Sequence, residues 1–410
     1  MFRQCNSSAS GPRFASADSH AVVSLISRPI VIRLVTCLML ICLWCLAANA
    51  GDIMYIKQTP NGQSITDLTA VTAGAKGTPY GGIAAFFTTP NNQLHVYFVD
   101  AAASHVHQFY YNGSSWSDED LTSSTGGPTA YAYGITGFSI GNLQYVFYVG
   151  TDLHVHELNY NNVNWTDYDL TNTVGGNLAS PAPLVAFATK PNNQLHVYYQ
   201  DETSLHEYQL YFNGTSWTYQ DLTATIGGAY CYTQWIAGFA VGNIQNLFCP
   251  GYGKYSNNLD MLHIYYNNFT WVYEDATFLA GGSQTPMNLG AGVGAFKVLG
   301  ANQFEVWSVT DDTHLNRNYH VVKPNQWIDW DETNAIGAPA NSHLGDIAAF
   351  ETPGDKLYHI FYMPGGVYHV SYDGFVWTVQ DISFTSPDVN SGMAGFGIGK
   401  SQNVFYMLNN

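Results

Sequence analysis

An all-β fold, a single ring of seven four-stranded antiparallel sheets, is predicted by two repeated elements in the sequence. A short apolar phrase such as "IAAFF" returns seven times at intervals of about 46 to 57 residues, the period of a four-stranded propeller blade. A second element, Trp-x-x-x-Asp, returns six times. Alternating polar and apolar runs with Asx/Gly turns lie between them, which is typical of strands and hairpins. The sequence therefore predicts a seven-bladed β-propeller.

The apolar phrase is predicted to be the first strand of each blade, beside the central channel. Its small residues suit a place where backbones converge. Its phenylalanines are Phe86, Phe138, Phe187, Phe239, Phe296, Phe350 and Phe396. Seven phrases predict seven blades.

The Trp-x-x-x-Asp element is predicted to be the fourth strand of a blade. We expect its tryptophans to fill the core between neighbouring blades, because a large aromatic ring repeated in register buries much area. We expect its aspartates to cap the turns that follow. The six copies are Trp116/Asp120, Trp165/Asp169, Trp217/Asp221, Trp271/Asp275, Trp327/Asp331 and Trp377/Asp381.

The seventh blade is predicted to be closed by both chain termini. Residues 54–69 align with the last two strands of a blade, with Asp67 at the aspartate position and Gln63 at the tryptophan position. Residues 393–410 supply only the first two strands. Joining the two segments closes the ring and removes an exposed sheet edge.

The first fifty residues are predicted to be a signal peptide, followed by the propeller over residues 51–410. Arg28 and Arg33 precede an apolar run that ends in "ANA", a pattern typical of signal-peptidase sites. The run is shorter than the ~20 residues that a membrane span needs, so we expect secretion to the periplasm or cell exterior and no membrane insertion of the mature chain. Beyond it, Cys231 and Cys249 either form one disulfide or are free buried thiols.

The charge balance excludes one class of partner. Only 10% of the residues are charged, and the formal net charge is −17. Residues 51–410 hold 9 basic and 29 acidic residues, a formal charge of −20. Such a chain repels phosphate backbones, so no nucleic-acid binding is expected.

The repeat resembles that of a known family of sugar-binding propellers. The segment "LHVYYQ…SLHEYQLYFNGTSW", within residues 195–217, is similar to the blade of the fucose-specific lectins of the Aleuria aurantia type, which reads Ile-Arg-Val-Tyr-Tyr-Gln and then an acidic strand, a Gly turn and Trp. The likeness extends blade by blade over residues 54–410. That family has six blades, and related bacterial lectins have seven.

The resemblance implies sugar sites in the grooves between blades. Each groove of those lectins offers an arginine from the second strand, a glutamate about twelve residues later and the tryptophan of the next blade. The arginine place is held here by His95, Tyr145, His196, Asn246, Glu305, His359 and Asn403. The glutamate place is assigned to Gln108, Glu157, Gln209, His263, Tyr319, His369 and Lys57.

The fucose chemistry is not reproduced at these places, because imidazole does not replace a bidentate guanidinium. Neutral polar groups beside an aromatic ring still suit a saccharide. The three candidate sites are His95 with Gln108 and Trp165, Tyr145 with Glu157 and Trp217, and His196 with Gln209 and Trp271. Blades 4 and 5 depart furthest, and degenerate sites are expected there. At His196, imidazole predicts an affinity that changes between about pH 5.5 and 7.5.

Catalysis and metal binding are the competing functions. A propeller glycosidase needs a carboxylate pair on the channel strands, whereas Glu351 and Lys297 are the only charges directly after the phenylalanine position. "NGSSW" and "NGTSW" resemble the sialidase Asp-box without its aspartate. His105/His107 and His154/His156 are His-x-His pairs, but spacing alone places no acid beside them. We therefore predict no enzyme, no cofactor and no metal site.

The predicted function is that of an exported, lectin-like propeller whose partners are glycans or glycoconjugates. Several weak grooves on one rigid ring would gain avidity from multivalency. The alternative is a structural or protein-interaction propeller whose sugar sites have decayed.

Overall fold

A computed structural model describes residues 50–409 with the exception of residues 229, 233–234, 253–258, 282–291, 302, 322, 324, 342–344 and 384–391. The predicted signal peptide, residues 1–50, lies outside the described residues apart from residue 50. Among the residues described, no helix is both long and apolar enough to cross a membrane.

The predicted ring of seven antiparallel sheets is confirmed. The chain begins with the two outer strands of the closing sheet, β1 (Gly51–Thr59) and β2 (Gly62–Asp67). Blade 1 holds β3 (Ile83–Phe87), β4 (Leu94–Val99), β5 (Val106–Tyr111) and β6 (Trp116–Asp120). Blade 2 holds β7 (Ala130–Ile140), β8 (Leu143–Gly150), β9 (Val155–Tyr160) and β10 (Trp165–Asp169). Blade 3 holds β11 (Val185–Ala188), β12 (Leu195–Gln200), β13 (Glu207–Phe212) and β14 (Trp217–Asp221).

Blade 4 differs from the others by one short additional strand. It holds β15 (Tyr230–Cys231), β16 (Ala237–Val241), β17 (Ile244–Tyr252), β18 (Leu259–Tyr266) and β19 (Trp271–Asp275). Blade 5 holds β20 (Gly294–Lys297), β21 (Gln303–Val309), β22 (Leu315–Val321) and β23 (Gln326–Asp331). Blade 6 holds β24 (Ala348–Glu351), β25 (Tyr358–Tyr362), β26 (Tyr368–Tyr372) and β27 (Trp377–Asp381). Cys231 and Cys249 form a disulfide that joins β15 to β17.

The closing blade contains both ends of the propeller, as predicted. Its first two strands are β28 (Met393–Ile398) and β29 (Ser401–Asn409). β29 pairs with β1 over eight residues, from Gly51 opposite Asn409 to Gln58 opposite Gln402. The first strands of successive blades contact one another around the channel, and β28 contacts β3. The ring is therefore closed by backbone hydrogen bonds between the termini.

Each predicted tryptophan packs between two blades. Trp165 meets the ring of Tyr97 in the preceding blade in a T-shaped contact, with ring centroids 6.2 Å apart. Trp217 and Phe147 repeat this geometry, as do Trp271 and Tyr198. The tryptophans are thus part of the inter-blade core, and Trp165 and Trp217 also line the clefts beside them.

The predicted aspartate caps are confirmed as helix N-caps. Outside blade 6, each aspartate accepts a hydrogen bond from the backbone N–H three residues later, which satisfies one of the unpaired donors of the first turn. The short helices that follow are α1 (Leu68–Thr72), α2 (Leu121–Thr125), α3 (Leu170–Val174), α4 (Leu222–Thr225), α5 (Ala276–Leu279) and α6 (Glu332–Ile336). In blade 6, Asp381 accepts from the N–H of Ser383 instead.

Candidate functional site

The grooves between blades are built from strand register. In blade 1, Phe86 of β3 pairs with His95 of β4, and Tyr97 of β4 pairs with Gln108 of β5. Side chains at alternate positions share one face of the sheet, so His95 and Gln108 point toward the same groove. The tryptophan at the start of the next blade's last strand completes the lining. Groove 1 lies between blade 1 and the tryptophan of blade 2, and the other grooves are numbered in the same way.

Groove 1 brings His95, Gln108 and Trp165 together in a cleft of about 420 Å³. His95 and Gln108 are buried, and the amide nitrogen of Gln108 lies 2.6 Å from Nδ1 of His95. The same nitrogen lies 3.0 Å from Oε1 of Gln144. Burial lowers the pKa of His95 to about 3, so the ring is neutral at physiological pH. Glu119, which sequence reasoning missed, lines the cleft and accepts from the indole of Trp165.

Groove 2 is larger, and its polar side chains make fewer hydrogen bonds to one another. Tyr145, Glu157 and Trp217 line a cleft of about 540 Å³. Glu157 is buried, and one of its oxygens accepts a hydrogen bond of 3.0 Å from the amide of Asn159. Burial raises the pKa of Glu157 to about 7. Tyr168, a half-exposed residue of β10 that sequence reasoning also missed, pairs with Glu157 across β9 and β10 and lines the same wall.

Groove 3 repeats the hydrogen bonds of groove 1 but covers its aromatic ring. Gln209 Nε2 lies 2.8 Å from His196 Nδ1 and 2.7 Å from Oε1 of Gln245. Trp271 is only 6% exposed. Burial lowers the pKa of His196 to about 4. With this pKa the ring stays neutral between about pH 5.5 and 7.5, so the predicted change of affinity in that window is not expected of His196.

Two assignments to the glutamate place are also wrong. In the closing blade Lys57 pairs with Asn403, and Tyr55 holds the place instead, with its hydroxyl 2.7 Å from Oδ1 of Asn403. In blade 5, Arg317 lies opposite Trp307, just as Gln108 lies opposite Tyr97 in blade 1. The β22–β23 hairpin is longer than that of blade 1, so counting eight residues back from the tryptophan reached Tyr319 rather than Arg317.

Groove 5, expected to be degenerate, holds an arginine and a glutamate in exchanged positions. Glu305 stands on the second strand and Arg317 on the third. The Arg317 guanidinium lies 4.8 Å from the ring centroid of Trp377 in the next blade. Its Nε lies 2.6 Å from Oε1 of Glu332, and Nη1 lies 3.6 Å from Oε2 of Glu305. An arginine ten residues before Trp327 was the signal in the sequence, hidden by the longer hairpin.

The comparison with solved structures gives the same architecture. No protein-family model matches the chain, and no curated protein matches its sequence. The BP39L lectin of Burkholderia pseudomallei superposes with a TM-score of 0.58 and 18% identity, over 80% of this chain and 92% of that one. A mutant of the Aleuria aurantia lectin in complex with alpha-methyl-L-fucoside superposes with a TM-score of 0.52 and 17% identity, over 77% and 99%.

The chain has the β-propeller fold of these lectins. The resemblance that the repeats carry is thereby confirmed for the fold. A second structure of the mutant Aleuria aurantia lectin, in complex with Fucalpha1-6GlcNAc, superposes with a TM-score of 0.51 and 17% identity, over 76% of this chain and 97% of that one. At such identities the superposition describes the backbone, and the side chains of each groove decide its chemistry.

Proposed function

We propose that this chain is an exported, non-enzymatic propeller that binds carbohydrate weakly in several of its inter-blade grooves. The observation that carries the proposal is groove 2. It presents the half-buried ring of Trp217, the hydroxyl of Tyr145 and the carboxyl of Glu157 to one cleft of about 540 Å³. An aromatic face for the apolar side of a sugar and fixed polar groups for its hydroxyls are the two elements that saccharide recognition needs.

The similar structures support the same class of ligand. Two of them are named lectins in complex with fucosides, and their backbones follow this one over most of their length. Groove 5 offers further support, because the guanidinium of Arg317 lies 4.8 Å from the ring centroid of Trp377. Relative to the pattern of the fucose-specific lectins, the acid is on the second strand and the arginine on the third, so hydrogen-bond donors and acceptors have changed places. We infer that the preferred sugar, or its orientation, differs from that of a fucoside.

Export and the lack of catalysis complete the proposal. The disulfide between Cys231 and Cys249 supports export, because such bonds persist in oxidising compartments. Around the channel, the carboxylate of Glu351 is engaged by the backbone N–H of Leu299. Glu351 is the only acid directly after a first-strand phenylalanine, whereas glycoside hydrolysis needs a pair of carboxylates, and this supports a binding role for the propeller.

A glycan array probed with residues 51–410 tests the proposal. We expect binding to a restricted set of glycans, and the binding should increase with glycan density on the surface. Several weak sites on one ring raise the apparent affinity by about 10²–10⁴-fold. Glu157→Ala should weaken binding of the identified glycan, and Val71→Ser on the exposed face of α1 is the matched surface control. Binding to no glycan at high density would overturn the proposal.

The second candidate is a protein-interaction propeller with decayed sugar sites. Grooves 1 and 3 favour this candidate, because the side-chain amides of Gln108 and Gln209 already donate hydrogen bonds to buried neighbours. A single protein partner retained in the presence of free sugars, together with an empty glycan array, is the result that this candidate predicts.

A further inference from the structure

Four potential metal ligands converge at one edge of blade 2, away from the groove residues Tyr145 and Glu157. Asp152 lies in the turn after β8, His154 just before β9, His156 within β9, and Asp169 at the end of β10. One ligand atom from each lies within 4.8 Å of all the others. Within the part of the chain that the structure describes, this is the one such group of three or more residues.

Three of the six separations between these ligand atoms lie close to those around a tetrahedral ion. Ligand atoms held by Zn²⁺ at about 2.0–2.2 Å lie roughly 3.3–3.6 Å from one another. Here Nε2 of His156 lies 3.3 Å from Oδ2 of Asp152. Nδ1 of His154 lies 3.8 Å from the same Asp152 oxygen and 2.8 Å from Oδ2 of Asp169. These three separations lie within about half an ångström of the tetrahedral value, and the other three are at most 4.8 Å.

The residues behind the cluster orient the deepest ligand. His156 is 4% exposed, and its Nδ1 lies 2.9 Å from Oδ1 of Asp167. The other Asp167 oxygen accepts a hydrogen bond of 2.7 Å from the hydroxyl of Tyr148. A carboxylate on Nδ1 leaves Nε2 of His156 facing the cluster, and this second layer of hydrogen bonds is what metal-binding histidines commonly have.

The front of the cluster is open to solvent. The Asp152 side chain is 42% exposed, and those of His154 and Asp169 are 26% and 30% exposed. An ion can therefore enter without unfolding of the blade. Oδ1 of Asp169 caps the backbone of Asn172, which leaves Oδ2 for the ion without loss of the helix cap.

The other blades show that this grouping is not a by-product of the repeat. The His–Asp pair recurs in blade 1, where Nδ1 of His105 lies 2.8 Å from Oδ2 of Asp120. There, however, the nearby Asp100 accepts hydrogen bonds from the backbone N–H groups of its own turn. Gly150 holds the corresponding place in blade 2, and a Cβ there would lie 2.4 Å from Oδ1 of Asp152. The glycine makes room for the Asp152 carboxylate.

Blade 5 provides the second comparison. Asp312, His314 and Asp331 reproduce three of the four residues, with Nδ1 of His314 2.7 Å from Oδ2 of Asp331. Asn316 stands where blade 2 has His156, and its amide donates to Asp329. Among the described parts of these blades, only blade 2 combines both histidines with a turn aspartate whose carboxylate lies within 4 Å of each of them.

We propose that Asp152, His154, His156 and Asp169 bind one Zn²⁺ ion. Two imidazoles with two carboxylates favour zinc over Ca²⁺ or Mg²⁺, which prefer all-oxygen sites. The expectation of no metal site rested on spacing, which placed no acid beside His154 and His156. The fold supplies both acids, one from a turn and one from a helix cap. This proposal is independent of sugar binding.

Competition for Zn²⁺ between residues 51–410 and a chromophoric chelator tests the proposal. We expect one Zn²⁺ per chain, and at least tenfold weaker binding in His154→Gln because one ligand is lost. Asp167→Asn should weaken binding about 10–100-fold through the orientation of His156. His105→Gln in blade 1 is the matched control and should bind as the wild type does.

Thermal unfolding separates ligand loss from misfolding. Zn²⁺ should raise the Tm of the wild type and of His105→Gln, and leave that of His154→Gln unchanged. Asp152→Asn, at the most exposed ligand, should give the same loss in a chain whose metal-free Tm equals that of the wild type. No Zn²⁺ binding by the wild type, or equal weakening by His105→Gln and His154→Gln, would overturn the proposal.

Discussion

Grooves 2 and 3 occupy equivalent places in neighbouring blades and differ in how their polar groups are satisfied. In groove 3, the buried Gln209 donates to both His196 and Gln245, and Trp271 is covered. In groove 2, Glu157 accepts a hydrogen bond from Asn159, and Trp217 remains half-buried. The two grooves thus share one backbone geometry, but their polar groups are not equally free to bind a ligand. A groove can bind a ligand only through polar atoms that are not already hydrogen-bonded within the protein.

The tryptophans give the largest expected contrast in stability. Trp271→Ala should lower the free energy of unfolding by about 3–5 kcal/mol, because it opens a cavity in a closed core. Trp217→Ala should cost less, since part of its ring already faces solvent. Urea denaturation of both variants measures the difference. Equal losses would show that the two grooves are packed alike.

Glu157 gives the next largest effect, with a defined dependence on pH. Its pKa is raised from 4.5 to about 7, so the folded state holds this proton more tightly than the unfolded state. The stability that this contributes is present below about pH 4.5 and is lost as the pH rises through 7. Glu157→Gln should therefore match the wild type at pH 4 and exceed it by roughly 3 kcal/mol at pH 8. Unfolding curves at both pH values check this, and a gain of the same size at pH 4 would contradict it.

Gln209 tests the closed network of groove 3. Gln209→Ala should destabilise the chain by about 1–3 kcal/mol, because the buried Nδ1 of His196 loses its donor and Oε1 of Gln245 is left with the hydroxyl of Tyr198. Gln108→Ala should cost a similar amount in groove 1, whose hydrogen bonds are the same. Denaturation of the two variants under one set of conditions measures both. A stable Gln209→Ala chain with weakened glycan binding would instead mean that groove 3 is an open sugar site.

The pH dependence of glycan affinity gives the smallest effect. If a sugar in groove 2 donates hydroxyl hydrogen bonds to ionised Glu157, affinity should rise by up to about tenfold between pH 6 and 8. Affinity in groove 3 should stay flat from about pH 5.5 to 7.5, because the pKa of His196 lies near 4. Titrating one identified glycan against wild type, Glu157→Gln and His196→Gln separates the two grooves. A slope that survives in Glu157→Gln would assign it to another group.

Much of the architecture could be predicted because the same packing problem recurs in every blade. The phenylalanine phrases, the tryptophans and the capping aspartates each fill one structural position, so their spacing shows the number of blades and the sharing of one blade by residues 54–69 and 393–410. The groove positions followed from the same counting in five blades. The counting missed Arg317, because the longer hairpin of blade 5 increases the number of residues between the groove position and the tryptophan.

The sequence by itself determined the ring, its closure and the residue types available to each groove, since these depend on periodic burial along one chain. Only the tertiary structure decided which polar groups are already satisfied, as for His196 and Gln209, because hydrogen bonds to Gln245 come from the next blade. Only the structure, likewise, brought Asp152 and Asp169 to the histidine pair of blade 2. A turn and a helix cap converge on a strand through sheet geometry, and that convergence leaves no periodic signal in the sequence.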